Sequence, residues 1–333
     1  MEHKTRIKGN VHYVGVNDRN KHRFEGMWPL PYGVSYNSYL IDDEMVALVD
    51  TVDICYFEVY LRKIKQVIGE RPINYLIINH MEPDHSGSIR LIKQHYPEII
   101  IVGNKQTFGM IEGFYGVTGE QYLVKEGDFL ALGHHKLRFY MTPMVHWPET
   151  MMTFDETDGV LFSGDGFGCF GTVDGGFLDT RINVDKYWGE MVRYYSNIVG
   201  KYGSPVQKAL QKLGGLPISA ICSTHGPVWT ENIAKVIGIY DRLSRYDADE
   251  GVVIAYGSMY GNTEQMAEAI AEELSAQGVK NIVMHNVTKS HPSYIIADIF
   301  RYKGLIIGSP TYSNQIFPEV EALLSKILLR EVK

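Results

Sequence analysis

His80-Met81-Glu82-Pro83-Asp84-His85 sets two imidazoles and two carboxylates within six residues. The run directly follows residues 73–78, a short β-branched apolar stretch that reads as a strand. A loop at a strand's carboxyl end can turn alternate side chains toward one point, which is what a metal ion asks of its ligands. Three more candidates occupy the same kind of position. His146 follows the apolar run that ends at Val145, Asp165 follows residues 160–164, and His225 follows residues 218–224. In a sheet-based core, strand ends gather on one edge, so these distant residues can meet the loop there. Taken singly, each has a plainer reading as a satisfied loop histidine, a turn-shaping aspartate or, for Asp84, the cap of a helix starting at His85-Ser86. Taken together, they predict one metal-binding cluster of His80, Glu82, Asp84, His85, His146, Asp165 and His225.

Outward from this loop, the first 50 residues alternate short apolar runs with Asn, Asp and Gly, as strands in hairpins do. Helical spacing covers residues 55–68, 89–96, 185–199, 205–213 and 231–246, and further strands fall near 99–102, 137–141, 151–154, 160–162 and 218–222. This mixture suits two packed sheets flanked by helices. A polar stretch at 245–251 marks a domain boundary, giving a first domain over 1–248 and a second over 249–333. The second reads βαβαβα, with strands at 252–256, 281–286 and 305–307 and helices at 263–277, 293–302 and 317–329. That order implies a parallel, doubly wound sheet.

The whole chain has 333 residues, which is about two domains' worth. With 45% hydrophobic and 21% charged residues, its composition is that of an ordinary folded protein. A formal charge of −7 argues against general nucleic-acid binding. The N-terminal residues carry no apolar run after their charges and no long apolar stretch follows, so neither a signal peptide nor a membrane span is expected. Three scattered cysteines, Cys55, Cys169 and Cys222, support no disulfide framework or thiolate metal site, and a cytoplasmic location is the default.

In the second domain, Gly257-Ser258-Met259-Tyr260-Gly261-Asn262-Thr263 joins a strand to a helix. Small and hydroxyl residues at a helix N-terminus offer backbone N–H groups to a phosphate. The next strand runs into Ser309-Pro310-Thr311-Tyr312-Ser313-Asn314. The first loop lacks G-x-G-x-x-G, which favours a mononucleotide over a dinucleotide.

These motifs carry a resemblance. The H-x-E-x-D-H loop resembles that of metallo-β-lactamase-fold proteins, whose hydrolases usually show a second His where this chain has Glu82; with the carboxylate there it is similar to the flavodiiron proteins. An additional carboxylate suits a hard iron pair that changes charge, whereas zinc hydrolysis favours neutral imidazole. The resemblance implies a metallo-β-lactamase-like αββα sandwich followed by a flavodoxin-like doubly wound parallel sheet. It implies one iron on His80, Glu82 and His146, another on Asp84 and His225, Asp165 between them, and His85 as ligand or neighbour. Trp147-Pro148-Glu149-Thr150 also looks like the family and is expected to shape the pocket or pack. Ser258, Met259, Tyr260, Gly261, Asn262 and Thr263 resemble the flavodoxin phosphate loop (S/T-x-T/M-x-G-N-T), and Pro310, Thr311, Tyr312 and Asn314 resemble the loop beside an isoalloxazine ring.

By the same resemblance, electrons pass through FMN to a non-haem diiron centre that reduces O₂ to water or NO to N₂O. The partners implied are a head-to-tail second copy and a separate donor, a rubredoxin or flavoprotein reductase, since no C-x-x-C pair is present. The alternative is a metal-dependent hydrolase of the β-lactamase type. A flavodoxin-like domain has about five strands in about 140 to 150 residues, whereas 83 residues and three strands follow the boundary. The chain thus reads as shortened, with an open strand edge and without a third flavin-contacting loop, which weighs against FMN binding. Tyr194 and Tyr195, on the helix after the metal segment, are expected to pack in the core or to reach the metals.

Overall fold

A computed structural model of the protein describes residues 5–331; the reading of Met1-Glu2-His3-Lys4 as no part of a leader lies outside them. The seven-stranded sheet runs in the order Arg6–Lys8, Val11–Tyr13, Tyr39–Ile41, Ala47–Val49, Tyr75–Ile77, Ile100–Gly103, Gln121–Leu123. Its hairpins pair antiparallel, and from Ala47–Val49 onward the strands run parallel with helices Phe57–Ile68, Ile89–His95 and Lys105–Tyr115 on the outer face. Five strands form the second sheet, Phe129–Ala131, Lys136–Met141, Met151–Asp155, Val160–Gly164 and Ala220–Ser223. Apolar residues of both sheets, among them Val49, Ile77, Phe139 and Phe162, interdigitate in a dry layer between them. Helices Asp185–Tyr194, Gly203–Leu213 and Ile233–Ser244 cover the far side of the second sheet. The result is the αββα sandwich that the sequence implied.

Strand Met151–Asp155 is buried along its whole length, as is Val160–Gly164. Strands covered on both faces read as continuous apolar runs, which is why these were legible. Helix Lys105–Tyr115 was not. It carries Gly109 and Gly113, and what starts it is the Asn104 side chain, which accepts from the backbone N–H groups of Gln106 and Thr107. Strand Gln121–Leu123 is exposed throughout, so it lacks the alternation that betrays a strand. The segment read as one helix over 185–199 changes at Tyr195 into a π-helical turn, Tyr195–Val199.

The third sheet is parallel, ordered Ile282–Asn286, Asp249–Tyr256, Tyr302–Gly308. Helix Asn262–Ala276 packs on one face, and Pro292–Arg301 with Pro318–Leu328 on the other. The boundary stretch is shorter than its composition suggested, because the strand begins at Asp249, within the polar run. Asp249 pairs with Tyr302 in the ladder and forms an ion pair with Arg242 at 2.6 Å. Among the described residues, both outer strands, Ile282–Asn286 and Tyr302–Gly308, have a strand neighbour on one side only, and Leu305 is 38% exposed.

Candidate metal centre and flavin site

All the predicted ligand residues converge at the carboxyl ends of four strands. His80, Glu82, Asp84 and His85 follow Tyr75–Ile77; His146 follows Lys136–Met141, Asp165 follows Val160–Gly164, and His225 follows Ala220–Ser223. The tightest groups of their donor atoms, His80 with Glu82, His85 and Asp165, and Asp84 with His85 and His225, share His85, and around them the site has two halves. In the first, His146 Nε2 lies 3.2 Å from Glu82 Oε2 and 3.0 Å from Asp165 Oδ2, while His80 Nε2 is 3.4 Å from His146 Nε2 and 3.7 Å from both carboxylate oxygens. In the second, His225 Nε2 is 3.3 Å from Asp84 Oδ2 and 3.5 Å from Asp165 Oδ1, and His85 Nε2 is 3.5 Å from Asp84 Oδ1 and 3.2 Å from Asp165 Oδ1. Asp165 therefore turns one oxygen to each half.

The plainer reading of Asp84 fails. The short helix is Pro83–Ser86, its cap position is Glu82, and Asp84 lies inside its first turn. Both Asp84 oxygens, both His85 ring nitrogens and His225 Nε2 are buried without a hydrogen-bond partner. Orphaned buried polar atoms are costly, and here the Asp84 oxygens face His85 Nε2 and His225 Nε2. Carboxylate oxygens and imidazole nitrogens at these separations suit a pair of hard or intermediate cations.

Electrostatics agree. Burial would depress His85, but the charges of Asp84 and Asp165 push it up to about 10. His146 is likewise raised, against its burial, by hydrogen bonds to Asp165 and Glu82. Asp165 is held well below the usual carboxylate range despite its burial, by His85 beside it and the hydrogen bond with His146. Burial raises the Asp84 carboxyl, whereas Glu82 and Asp165 keep their charge beside protonated imidazoles, whose place a bound cation would take.

Residues behind the ligands fix them. His225 Nδ1 donates to the Ser35 carbonyl at 2.8 Å, which turns Nε2 inward. His80 Nδ1 donates to Glu149 Oε1 at 2.7 Å. Asp50 accepts from Asn79 through both the backbone N–H and the side-chain amide, at 2.8 and 3.1 Å, and Asn79 accepts from Thr153. The sequence pattern showed Glu149 only as part of a pocket-shaping run, and held no sign of Asp50, Asn79 or Ser35. Tyr194 and Tyr195 part company. The Tyr194 ring lies 5.7 Å from that of His225, whereas Tyr195 packs on Tyr240 and Phe300; both hydroxyls are buried without a partner. Trp147 stands 5.2 Å from His80 and forms a wall with Phe114. A cavity of about 500 Å³, lined by Glu82 and Asp84 below and Lys21, Glu25, Arg90 and Phe114 around the rim, opens onto the cluster.

In the third sheet, the two predicted flavin loops leave adjacent parallel strands. Tyr256 pairs with Gly308, and Gly257 N–H donates to the Gly308 carbonyl at 2.9 Å. Ser258, Met259 and Tyr260 lead to Gly261, whose φ of +92° lets the chain enter helix Asn262–Ala276, with Thr263 in its first turn. Pro310 leads into the hairpin of Thr311–Tyr312 and Gln315–Ile316, turned by Ser313 and Asn314 at φ of +51° and +61°. Helices lie on opposite faces beyond these two strands, so the crevice between the loops is the switch point where doubly wound sheets bind mononucleotides. Tyr260 is 90% and Tyr312 50% exposed, so aromatic surface flanks the crevice and is free to meet a ring. The residues present fit FMN.

Such a cluster on such a framework belongs to one class: a two-metal β-lactamase-like sandwich joined to a flavodoxin-like sheet. The family profile described as "ODP family beta lactamase" matches residues 34–226, and that described as "Flavodoxin" matches 254–332. The chain is 33% identical over 327 residues to the anaerobic nitric oxide reductase flavorubredoxin of Vibrio vulnificus, covering 96% of this chain and 66% of that one. It is 32% identical to the protein of the same description from Escherichia coli, covering 68% of it; the chain thus spans about two thirds of these relatives. Rubredoxin oxygen:oxidoreductase from Desulfovibrio gigas superposes with a TM-score of 0.93 at 31% identity, over 97% of this chain and 82% of that one. The flavodiiron protein of Giardia intestinalis superposes with 0.92 at 28%, over 96% and 78%. The chain belongs to the flavodiiron protein family.

Proposed function

We propose that the protein is an oxidoreductase that reduces O₂ to water or NO to N₂O at a non-haem diiron site, with electrons relayed through FMN. In this reading His80, Glu82 and His146 would hold one iron and Asp84 and His225 the other with His85 beside it, and Asp165 would serve both. The observation that carries it is Asp165, fully buried, facing His146 with Oδ2 and His85 and His225 with Oδ1. Two adjacent irons supply electrons in pairs to a diatomic substrate, and FMN stores two electrons accepted singly. The protein's own residues do the rest. Phe114 and Phe24 line the cavity, Trp147 backs Phe114 beside His80, and the Tyr194 hydroxyl offers a hydrogen bond beside His225 to an oxygen of the substrate. Ser258, Met259, Tyr260, Gly261, Asn262 and Thr263 would hold the FMN phosphate, and Pro310, Thr311, Tyr312 and Asn314 its ring.

The two-metal geometry alone would also suit a hydrolase, but Glu82 and the flavodoxin-like half favour the redox reading. The relatives named for nitric oxide reduction and for rubredoxin:oxygen oxidoreduction support both substrates and a rubredoxin-type donor, with a flavoprotein reductase as the other donor in this proposal. Division at 248/249 is supported by the strand that starts at Asp249. A head-to-tail dimer, which would bring one copy's flavin to the other's irons, and a cytoplasmic location belong to the same proposal. Among the described residues no helix is long and apolar enough to cross a membrane. The test is anaerobic consumption of NO, and aerobic consumption of O₂, by iron-loaded protein with photoreduced FMN. Metal-dependent turnover of either gas supports the proposal; ester hydrolysis with neither gas consumed would contradict it.

A further inference from the structure

Glu149 is a fully buried carboxylate that no ligand role absorbs. Its Oε1 accepts from His80 Nδ1 at 2.7 Å and from the Met81 backbone N–H at 2.8 Å, while Oε2 has no partner. The backbone beneath it is pinned, since Asn104 Nδ2 donates to the Glu149 carbonyl at 2.6 Å. On the opposite half of the centre the equivalent contact is neutral: His225 Nδ1 donates to the Ser35 carbonyl at 2.8 Å. Both contacts fix a tautomer, but only the carboxylate makes its imidazole a stronger donor to a metal.

Resting on the two-iron reading, we infer that Glu149 is a positioning residue that locks His80 with Nε2 toward the metal and makes the His80 half of the centre the harder one to reduce. The His225 half then takes the first electron, and the pair is built unequal by its outer contacts. A carboxylate at 2.7 Å from the ring nitrogen favours the higher charge on the iron behind that ring. A carbonyl does so less.

The experiment compares the wild-type chain, loaded with two irons, with Glu149→Gln by reductive titration followed by electron paramagnetic resonance. Glutamine keeps an oxygen able to accept from both donors and removes only the charge. The second reduction step is expected to shift to higher potential while the first stays in place, so the mixed-valence signal loses maximum amplitude. Iron release to a chelator should quicken by roughly tenfold or more, the usual scale for such outer contacts. Should Glu149→Gln fail to fold, the wild-type diferrous protein supplies an independent readout. Two hyperfine-shifted imidazole N–H resonances should survive transfer into D₂O, those of His80 against the carboxylate and of His225 against the Ser35 carbonyl, both fully buried; loss of the His80 resonance would overturn the assignment. Superimposable titrations in wild type and Glu149→Gln would also overturn it. A wild-type chain unable to bind an iron pair would instead sink the two-iron reading beneath it.

Discussion

Asp165 and Tyr194 show how differently residues declare themselves. Asp165 follows an apolar strand, as His80, His146 and His225 do, and a polar side chain at the end of an apolar run stands out in the bare sequence. Tyr194 sits on a helix among aromatic neighbours, and nothing in its spacing separates it from Tyr195, which packs in the core. Both hydroxyls are buried without a partner, and what distinguishes Tyr194 is its place, 5.7 Å ring to ring from His225, where Tyr195 lies against Tyr240 and Phe300. Burial, then the nearby charge of Asp165, raises the Tyr194 hydroxyl far above the usual tyrosine range, so it remains a donor under all working conditions. Tyr194→Phe should leave metal content unchanged and lower turnover roughly tenfold, the worth of about one lost hydrogen bond to a charged or developing-charge group. Steady-state gas consumption alongside iron analysis checks this, and unchanged turnover would assign Tyr194 to packing alone. Glu149, Asp50 and Asn79 were illegible for another reason: Glu149 holds His80, and Asp50 and Asn79 hold one another, across segments far apart in the chain, and a linear sequence does not record which backbone lies across from which carboxylate.

Loops at strand ends carry the site, and their tightness is set by backbone geometry. Gly226 follows His225 at φ +83°, and a Cβ there would lie 2.2 Å from Cys169 Sγ. Gly226→Ala should destabilise the protein by about 2–4 kcal/mol, combining strain at positive φ with overpacking, and should displace His225 enough to lower the iron count. Chemical unfolding and metal analysis of the same preparation would read both effects. Away from the centre, His135 joins the two sheets: its backbone N–H donates to Asp43 at 2.6 Å and its ring to Asp155 at 2.9 Å. Burial would depress this histidine, but the hydrogen bond to Asp155 and the charges of Asp155, Asp158 and Asp43 raise it. A raised histidine stabilises the fold fully below its ordinary value of about 6.5 and loses that contribution as pH climbs through the elevated folded value. The denaturation midpoint of wild type should therefore exceed that of His135→Gln by more at pH 5.5 than at pH 9; an equal gap at both would contradict the pairing. At this scale the buried strands were readable from composition, whereas helix Lys105–Tyr115 and strand Gln121–Leu123 were not, because a capping side chain and a tertiary edge define them rather than periodicity.

Across the whole molecule, the αββα sandwich and the flavodoxin-like sheet meet through a buried arginine. Arg193 is paired with Glu190, donates to Ser293 Oγ at 3.0 Å, and lies over the rings of Phe170 and Tyr294; Asn197 donates to the Ser293 carbonyl. Phe170 in turn packs on Tyr194 beside the metal cluster. Arg193→Met would strand Glu190 as a buried charge and should cost about 3–5 kcal/mol, with the flavodoxin-like half becoming protease-sensitive first; limited proteolysis of the full chain would show it. The order of the two domains was evident from the polar stretch at 245–251 and the βαβαβα order after it, but this contact was not, since a residue read only as part of a helix over 185–199 gives no hint that its partner lies a hundred positions away. Two irons in one cluster, fed by a flavin, are what every other assignment depends on. Iron, zinc and flavin content of one anaerobically purified sample, taken per chain after expression with iron in excess, tests them together. Two irons and bound FMN are expected; two zincs with no iron would overturn the diiron assignment.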